Sequence, residues 1–205
     1  MKPIIFSTPM VQAILDGRKT QTRRVIKIDD APENWKISIA GTSIVRTEPY
    51  DAKLPRYAAG DILWVRETFC EVPYEYNHVP TKGGHITIPK YAYKADSERD
   101  YTGIWKPSIY MPREAARIFL RVTNVRVERL WDITETDVRK EGFSDHFDIE
   151  TDTFYPCGYF FKHTWNSLYA KRGYGWDTNP WVWVVEFERI SKDEALLKEG
   201  EVEEG

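Results

Sequence analysis

The chain has 205 residues, 41% hydrophobic and 30% charged, which is the balance of a soluble globular protein long enough to bury a real core. Its formal net charge of -3 gives nothing in the total that argues for nucleic acid. Two cysteines, Cys70 and Cys157, stand far apart with no C-x-x-C pair, which excludes a disulfide scaffold and fits reduced thiols in the cytoplasm.

No stretch approaches the length of a membrane span, and the apolar run in MKPIIFSTPM is too short for a signal peptide. The expectation is therefore a cytoplasmic protein without membrane contact. Aromatics are dense, with eight Trp, twelve Tyr and nine Phe, and favour strands and rigid stacking surfaces. Charge is polarised along the chain. Residues 1–27 carry Lys2, Arg18, Lys19, Arg23, Arg24 and Lys27 against Asp16, a balance of +5, whereas Ser191–Gly205 has a balance of -4. A chain polarised in this way can hold a polyanion locally without being basic in total.

In chain order, residues 3–7 read as a short buried strand. Thr8 and Pro9 start a helix, with Met10, Ala13 and Ile14 at helical spacing and Gly17 as its stop. Thr20–Lys27 re-extends, and residues 28–59 hold strands at Trp35–Ile39 and Ser43–Thr47. Gly60-Asp61 turns into a strand over Ile62–Phe69. Residues 71–90, punctuated by Pro73, Pro80, Gly83, Gly84 and Pro89, read as an excursion or hairpin before a strand at Tyr91–Ala95.

Ile118–Leu130 is the longest alternating segment. Asp132 or Thr134 then caps a helix through Glu141, stopped by Gly142. A further helix spans Tyr159–Lys171, with Phe161, Trp165, Leu168 and Tyr169 on its core face and Gly173 after it. The last strand is Pro180–Arg189, and residues 191–205 read as a charged, disordered tail. Strands with three short helices between them make an α+β chain whose strands close on themselves.

The segment Gly17-Arg18-Lys19-Thr20-Gln21-Thr22-Arg23-Arg24 resembles the G-x-K-x-x-T/E-x-R signature of the ASCH family, within the PUA-like superfamily. Gly60-Asp61 opening a strand, the helix of ITETDVRKEG ending in Glu-Gly, and the hydrophobic last strand Trp181–Phe187 fit the same layout. The resemblance implies one domain, residues 1–190, on a small PUA-like β-barrel of the ASCH type. Short helices flank that barrel, and insertions fall at about 28–58, 71–110 and 144–158. The opening MKPIIFSTPM with WVRETF, IYMPREAAR and NPWVWVVEFE also resembles phage- and prophage-encoded ASCH proteins, some of them labelled morphogenesis proteins.

Such a resemblance implies binding of RNA or a modified nucleoside. In the small acetylcytidine amidohydrolases of the family a Lys, a Thr three positions later and a Glu on the following helix remove an acetyl group from the exocyclic amine. Those residues match Lys19, Thr22 and Glu141. Other members are ribonucleases. The alternative reading is a phage accessory or morphogenesis protein that works through a protein partner, without catalysis.

The residues themselves set conditions on this chemistry. A threonine hydroxyl is inert unless a base within hydrogen-bond reach activates it. Lys19 can be that base only if burial or nearby cations lower its pKa, as Arg18, Arg23 and Arg24 would, while Glu141 pushes the opposite way. Strict alternation puts Lys19 and Thr22 on opposite faces of a strand, so the site requires Lys19 to lie in the irregular turn after Gly17.

Each candidate also has a plainer reading. The basic turn can be a solvated surface, Thr22 a good β former, and Glu141 an exposed helix end, although a carboxylate there opposes the helix dipole. Arg18, Arg23 and Arg24 are candidates to hold phosphate. Trp64, Arg66 and Glu67 are candidates for the same pocket, the last two alternatively a surface pair. Trp64, Trp105, Tyr110 and Trp176 could stack on a base, although such residues more often pack in a core or loop. His78, His85, His146 and His163 match no metal spacing, and neither a metal nor a cofactor is expected.

Overall fold

The structure, a computed structural model, describes residues 1–27, 37–40, 43–46, 52–53, 55–72, 78–81, 84–87, 90–96 and 104–203. The ends of two expected strands, Trp35–Lys36 and Thr47, lie outside the described residues. In chain order the elements are β1 (Lys2–Ile5), α1 (Thr8–Leu15), β2 (Gln21–Val25), β3 (Ile37–Ala40), β4 (Ser43–Arg46), β5 (Ala52–Lys53), β6 (Ile62–Arg66), β7 (Phe69–Glu71), β8 (His78–Thr81), β9 (Gly84–Thr87) and β10 (Tyr91–Tyr93). They continue as β11 (Phe119–Arg129), α2 (Glu135–Lys140), β12 (His146–Asp148), β13 (Thr153–Tyr155), α3 (Cys157–Tyr169), β14 (Trp181–Ile190) and α4 (Lys192–Glu203).

The architecture is mixed α+β. The four strands expected to share one sheet, β2, β6, β11 and β14, do so, hydrogen-bonded in the order β1-β6-β11-β14-β2. A closed barrel is not what they form among the described residues: the sheet is open, with β1 and β2 as its outer strands. Closure of so few strands demands a steep tilt and a matching stagger. Here β1 is only four residues long and its ladder is a parallel one with β6.

The chain divides into two compact units. One comprises Met1–Asp16, Ile62–Leu120 and Arg189–Gly205, the other Gly17–Asp61 and Arg121–Glu188. In the first unit, Ile62, Trp64, Phe69, Met111, Ala115, Ala116, Phe119, Ile190 and Ala195 form one buried cluster. Strand β6 is buried on both faces from Ile62 to Val65. The hairpin β8–β9 fulfils the hairpin expected within residues 71–90.

In the second unit β14 runs antiparallel to β2, with Val182 opposite Val25, Val184 opposite Arg23 and Glu186 opposite Gln21. Leu130, Val138, Phe161, Trp165, Val182 and Val184 make its core under α2 and α3. Leu168, expected on the core face of α3, is exposed instead. Tyr169, four residues after Trp165, takes the contact, their rings 4.5 Å apart, and the helix ends there.

The C-terminal segment departs most from expectation. Instead of a disordered tail, Lys192–Glu203 is helical, and Ala195 is fully buried in the first unit's core. One small apolar residue docks a helix whose composition otherwise reads as solvated. Ala195→Arg should therefore lower stability by about 1–3 kcal/mol, the cost of overpacking a filled site. Urea unfolding checks this, and an unchanged midpoint would mean that the segment does not dock.

Candidate functional site

The site begins where two helices end. Helix α1 stops at Leu15, and Gly17, at φ +74°, turns the chain in a conformation that favours glycine. Helix α2 is closed at its start by a capping box between Thr134 and Asp137. Its other end is a Schellman motif: Gly142, at φ +95°, donates to the Arg139 carbonyl and Phe143 to that of Val138.

Three further carbonyls at this end are taken in sequence by the turn after Gly17. Arg18 Nη1 donates to the Gly142 oxygen at 2.7 Å, Lys19 Nζ to that of Glu141 at 2.9 Å, and the Thr20 amide to that of Lys140 at 2.8 Å. Two cations thus meet the negative end of the helix dipole. Lys19 lies in this irregular turn, ahead of β2, as the candidate site required, and forms an isolated bridge with Glu141.

The Lys19 side chain is fully buried and its three protons reach three acceptors: Gln21 O at 2.9 Å, Glu141 O at 2.9 Å and Glu141 Oε2 at 2.8 Å. Burial is the largest influence on its pKa and lowers it from 10.5; Glu141 opposes the shift, while Arg24 and Arg23 assist it.

Arg23 completes the cluster from the same face of β2. It donates to Glu141 Oε1 at 3.3 Å, to Glu128, and lies 3.5 Å from Asp137 Oδ2. Beyond it Arg126 joins Glu128 Oε2 at 3.1 Å to Glu186 Oε1 at 2.6 Å. Gln21 Nε2 donates to the backbone carbonyl and to Oδ1 of Asp137, whereas its buried Oε1 has no hydrogen-bond partner among the described residues.

The remaining candidates separate. Thr22 is buried, but alternation along β2 turns it away from Gln21 and Arg23. Its hydroxyl accepts from Arg24 Nη1 at 2.6 Å, and no hydrogen bond joins it to Lys19 or Glu141 among the described residues. Arg23, expected to face phosphate, is instead sealed inside among three carboxylates. Arg18 is exposed and Arg24 partly so.

Trp64, Arg66 and Glu67 belong to the other compact unit. Trp64 is core, with Arg66 5.5 Å from its ring centroid. Glu67 does not pair with Arg66. Its buried carboxylate is held by Arg117 through two bonds, at 2.9 and 3.0 Å, while burial raises its pKa. Trp105 and Trp176 are packed, and Tyr110 is exposed.

One group of metal-type side chains, Glu135, Asp145 and Cys157, comes within 4.8 Å among the described residues. Arg139 already bonds both carboxylates, and burial pushes the Cys157 thiol up, away from a ligating thiolate.

No family model matches the chain, and no curated protein matches it. Among solved structures, the crystal structure of protein EF3133 from Enterococcus faecalis V583, described as DUF984, is similar over 93% of this chain and 82% of that one. The identity is 12% and the TM-score 0.43, a level at which the likeness assigns nothing to this chain. No described helix is long and apolar enough to cross a membrane.

Sequence reasoning missed Gln21, Asp137, Glu128 and Arg126. Arg126 and Glu128 were visible as charges two apart inside the longest alternating strand, and Asp137 as a capping residue with a second carboxylate oxygen to offer. Breaking a buried ion pair from one side costs roughly 3–5 kcal/mol, because the other charge is left desolvated. Lys19→Met and Glu141→Leu should each fall in that range, while the double variant carrying both should cost clearly less than their sum. Additive losses in urea unfolding would mean the two are uncoupled.

The lowered Lys19 pKa adds a pH signature. Between that lowered value and 10.5 the unfolded chain binds more protons, so this group's contribution to stability rises with pH across the window. The stability difference between wild type and Lys19→Met should climb there, and a flat difference would reject the shift.

Proposed function

We propose that this chain is an RNA- or nucleoside-binding protein of the ASCH type, on a PUA-like arrangement of strands. One observation carries the reading. The lysine of the Gly17–Arg24 signature and the glutamate before Gly142, 122 positions apart in sequence, meet in a buried ion pair at 2.8 Å. Apolar residues of similar volume often fill such a site as well or better, so keeping two charges out of water supports a role for them beyond stability. The shared sheet of β2, β6, β11 and β14 is a second support.

Binding is better supported than hydrolysis. Arg18 stands beside the pair and Arg24 lies on the other face of β2, both retaining exposure to a phosphate, whereas every proton of Lys19 already has an acceptor. Hydrolysis of an acylated cytidine-type nucleoside would require Lys19 to leave Glu141, lose its proton and draw one from the attacking group. With Thr22 bonded to Arg24 on the other face of β2, water is the nucleophile this geometry favours.

Fluorescence anisotropy with single-stranded RNA and with free nucleosides, across a salt series, tests the binding. Arg18→Ala and Arg24→Ala should each weaken RNA binding and reduce the salt slope by roughly 0.7 for each phosphate no longer neutralised. Unchanged affinity and slope in both would remove the turn from the interface. Acetylcytidine provides the catalytic arm. Cytidine release should increase with pH as Lys19 deprotonates, and should vanish in Lys19→Met; no release by the wild type leaves a binder.

A further inference from the structure

Between Lys140 and Lys162 the chain has no Lys or Arg, yet contains Asp145, Asp148, Glu150 and Asp152 among seven Phe and Tyr residues. Strands β12 and β13 form a hairpin here, pairing His146 with Tyr155, Phe147 with Phe154 and Asp148 with Thr153. One of its faces turns toward α3. The His146 and Tyr155 rings lie 6.1 and 5.9 Å from Phe160 of α3, and Tyr155 lies 5.2 Å from Tyr159. Side chains alternate along a strand, so Phe147 and Phe154 stand on the opposite face, directly across from each other. They are 51% and 60% exposed, and Ile149 at the turn is 86% exposed.

Two cross-strand phenylalanines and an isoleucine turned to water on one short hairpin make a surface built to be covered. The turn beside them is held in shape: Asp148 Oδ1 accepts from the amides of Glu150 and Thr151 at 3.0 and 3.2 Å. The charge around the patch selects what covers it. Exposed Glu150 and Asp152, with Asp148, have no Lys or Arg nearby in the chain to offset them, so a phosphate backbone or an anionic bilayer is repelled. A second copy of this chain in a two-fold contact would set the same carboxylates against themselves.

We infer that the outward face of the β12–β13 hairpin docks a partner protein through a segment that is both basic and apolar. This surface is independent of the Lys19 cluster, so RNA binding can fail without touching it.

Fluorescence anisotropy on the full chain tests this with a labelled helical peptide carrying Leu and Trp at i, i+3, i+4 spacing and Lys and Arg elsewhere. A peptide with the same apolar positions and Glu in place of the basic residues, and a single-stranded RNA, serve as comparators. The basic peptide should bind and the acidic one should not, with affinity falling as salt rises. Phe147→Ser and Phe154→Ser should each reduce that affinity by about tenfold or more, the loss expected for an aromatic anchor. Glu150→Gln with Asp152→Asn should weaken binding and flatten its salt dependence. Asparagine suits position 152, where φ is +49°, so this variant keeps the hairpin intact even if a Phe variant disturbs it.

The inference is overturned if the wild type binds neither peptide or both equally, or if the Phe variants bind the basic peptide as the wild type does. It is equally overturned if sedimentation shows self-association that Phe154→Ser abolishes, or if the Phe variants lose RNA instead.

Discussion

A helix of six residues cannot hold its shape in water, because nucleating a helical turn costs more than so few hydrogen bonds return. Helix α2 survives because both its ends are closed, and the closure at its C-terminus is the constraint on which the second compact unit is assembled. The Schellman motif satisfies two carbonyls, and the turn at Arg18, Lys19 and Thr20 satisfies three more. Glu141 is a carboxylate at the negative end of a helix, a placement that repels it. Lys19 and Arg23 reverse that repulsion by standing within 2.8 and 3.3 Å of its two oxygens. The helix end and the strand entry are therefore one structure and not two neighbours.

From this junction the charges run outward along one face of the sheet. Val184 of β14 lies opposite Arg23, and its short side chain lets the guanidinium reach over the central strand to Glu128 of β11. Arg126 then returns to Glu186 on β14. The same face carries Val25, Val182, Val184 and Leu130 toward its other end, where Val138 of α2 and Phe161 and Trp165 of α3 cover it. One face of one sheet is thus apolar at one end and ionic at the other, and α2 spans both because Val138 faces the first and Glu141 the second.

What could be read from sequence divides along physical lines. The long strands β11 and β14 were legible from alternation over much of β11 and the run of β-forming apolar residues in β14, and α2 because Thr134 and Gly142 punctuate it. Lys19 lies in the turn after Gly17, the condition the sequence set for the site, and the electrostatically misplaced Glu141 is held there by Lys19 and Arg23. The burial of Arg23 was not legible. Its carboxylates come from Glu128 and Glu141, 105 and 118 positions away, and a run of basic residues looks the same whether its partners are phosphates or distant carboxylates. Glu67 misled for the same reason, since adjacent Arg66 suggested a local pair while Arg117 supplied the real one, 50 positions on. In α4 the composition is that of a solvated tail, and a single buried alanine is too small a signal to contradict it.

The closed state of the Lys19 cluster limits what can open it. Lys19 has as many acceptors as protons, and a ligand that takes one proton must return comparable electrostatic stabilisation to a nitrogen already out of water. A neutral carbonyl is a poor exchange for the Glu141 carboxylate, whereas a phosphate oxygen is a fair one. Arg18 couples that exchange to the helix, for the guanidinium exposed to an arriving anion is also the cap of the Gly142 carbonyl. Arg18, Lys19 and Thr20 thus hold the three residues from Lys140 to Gly142 from one side.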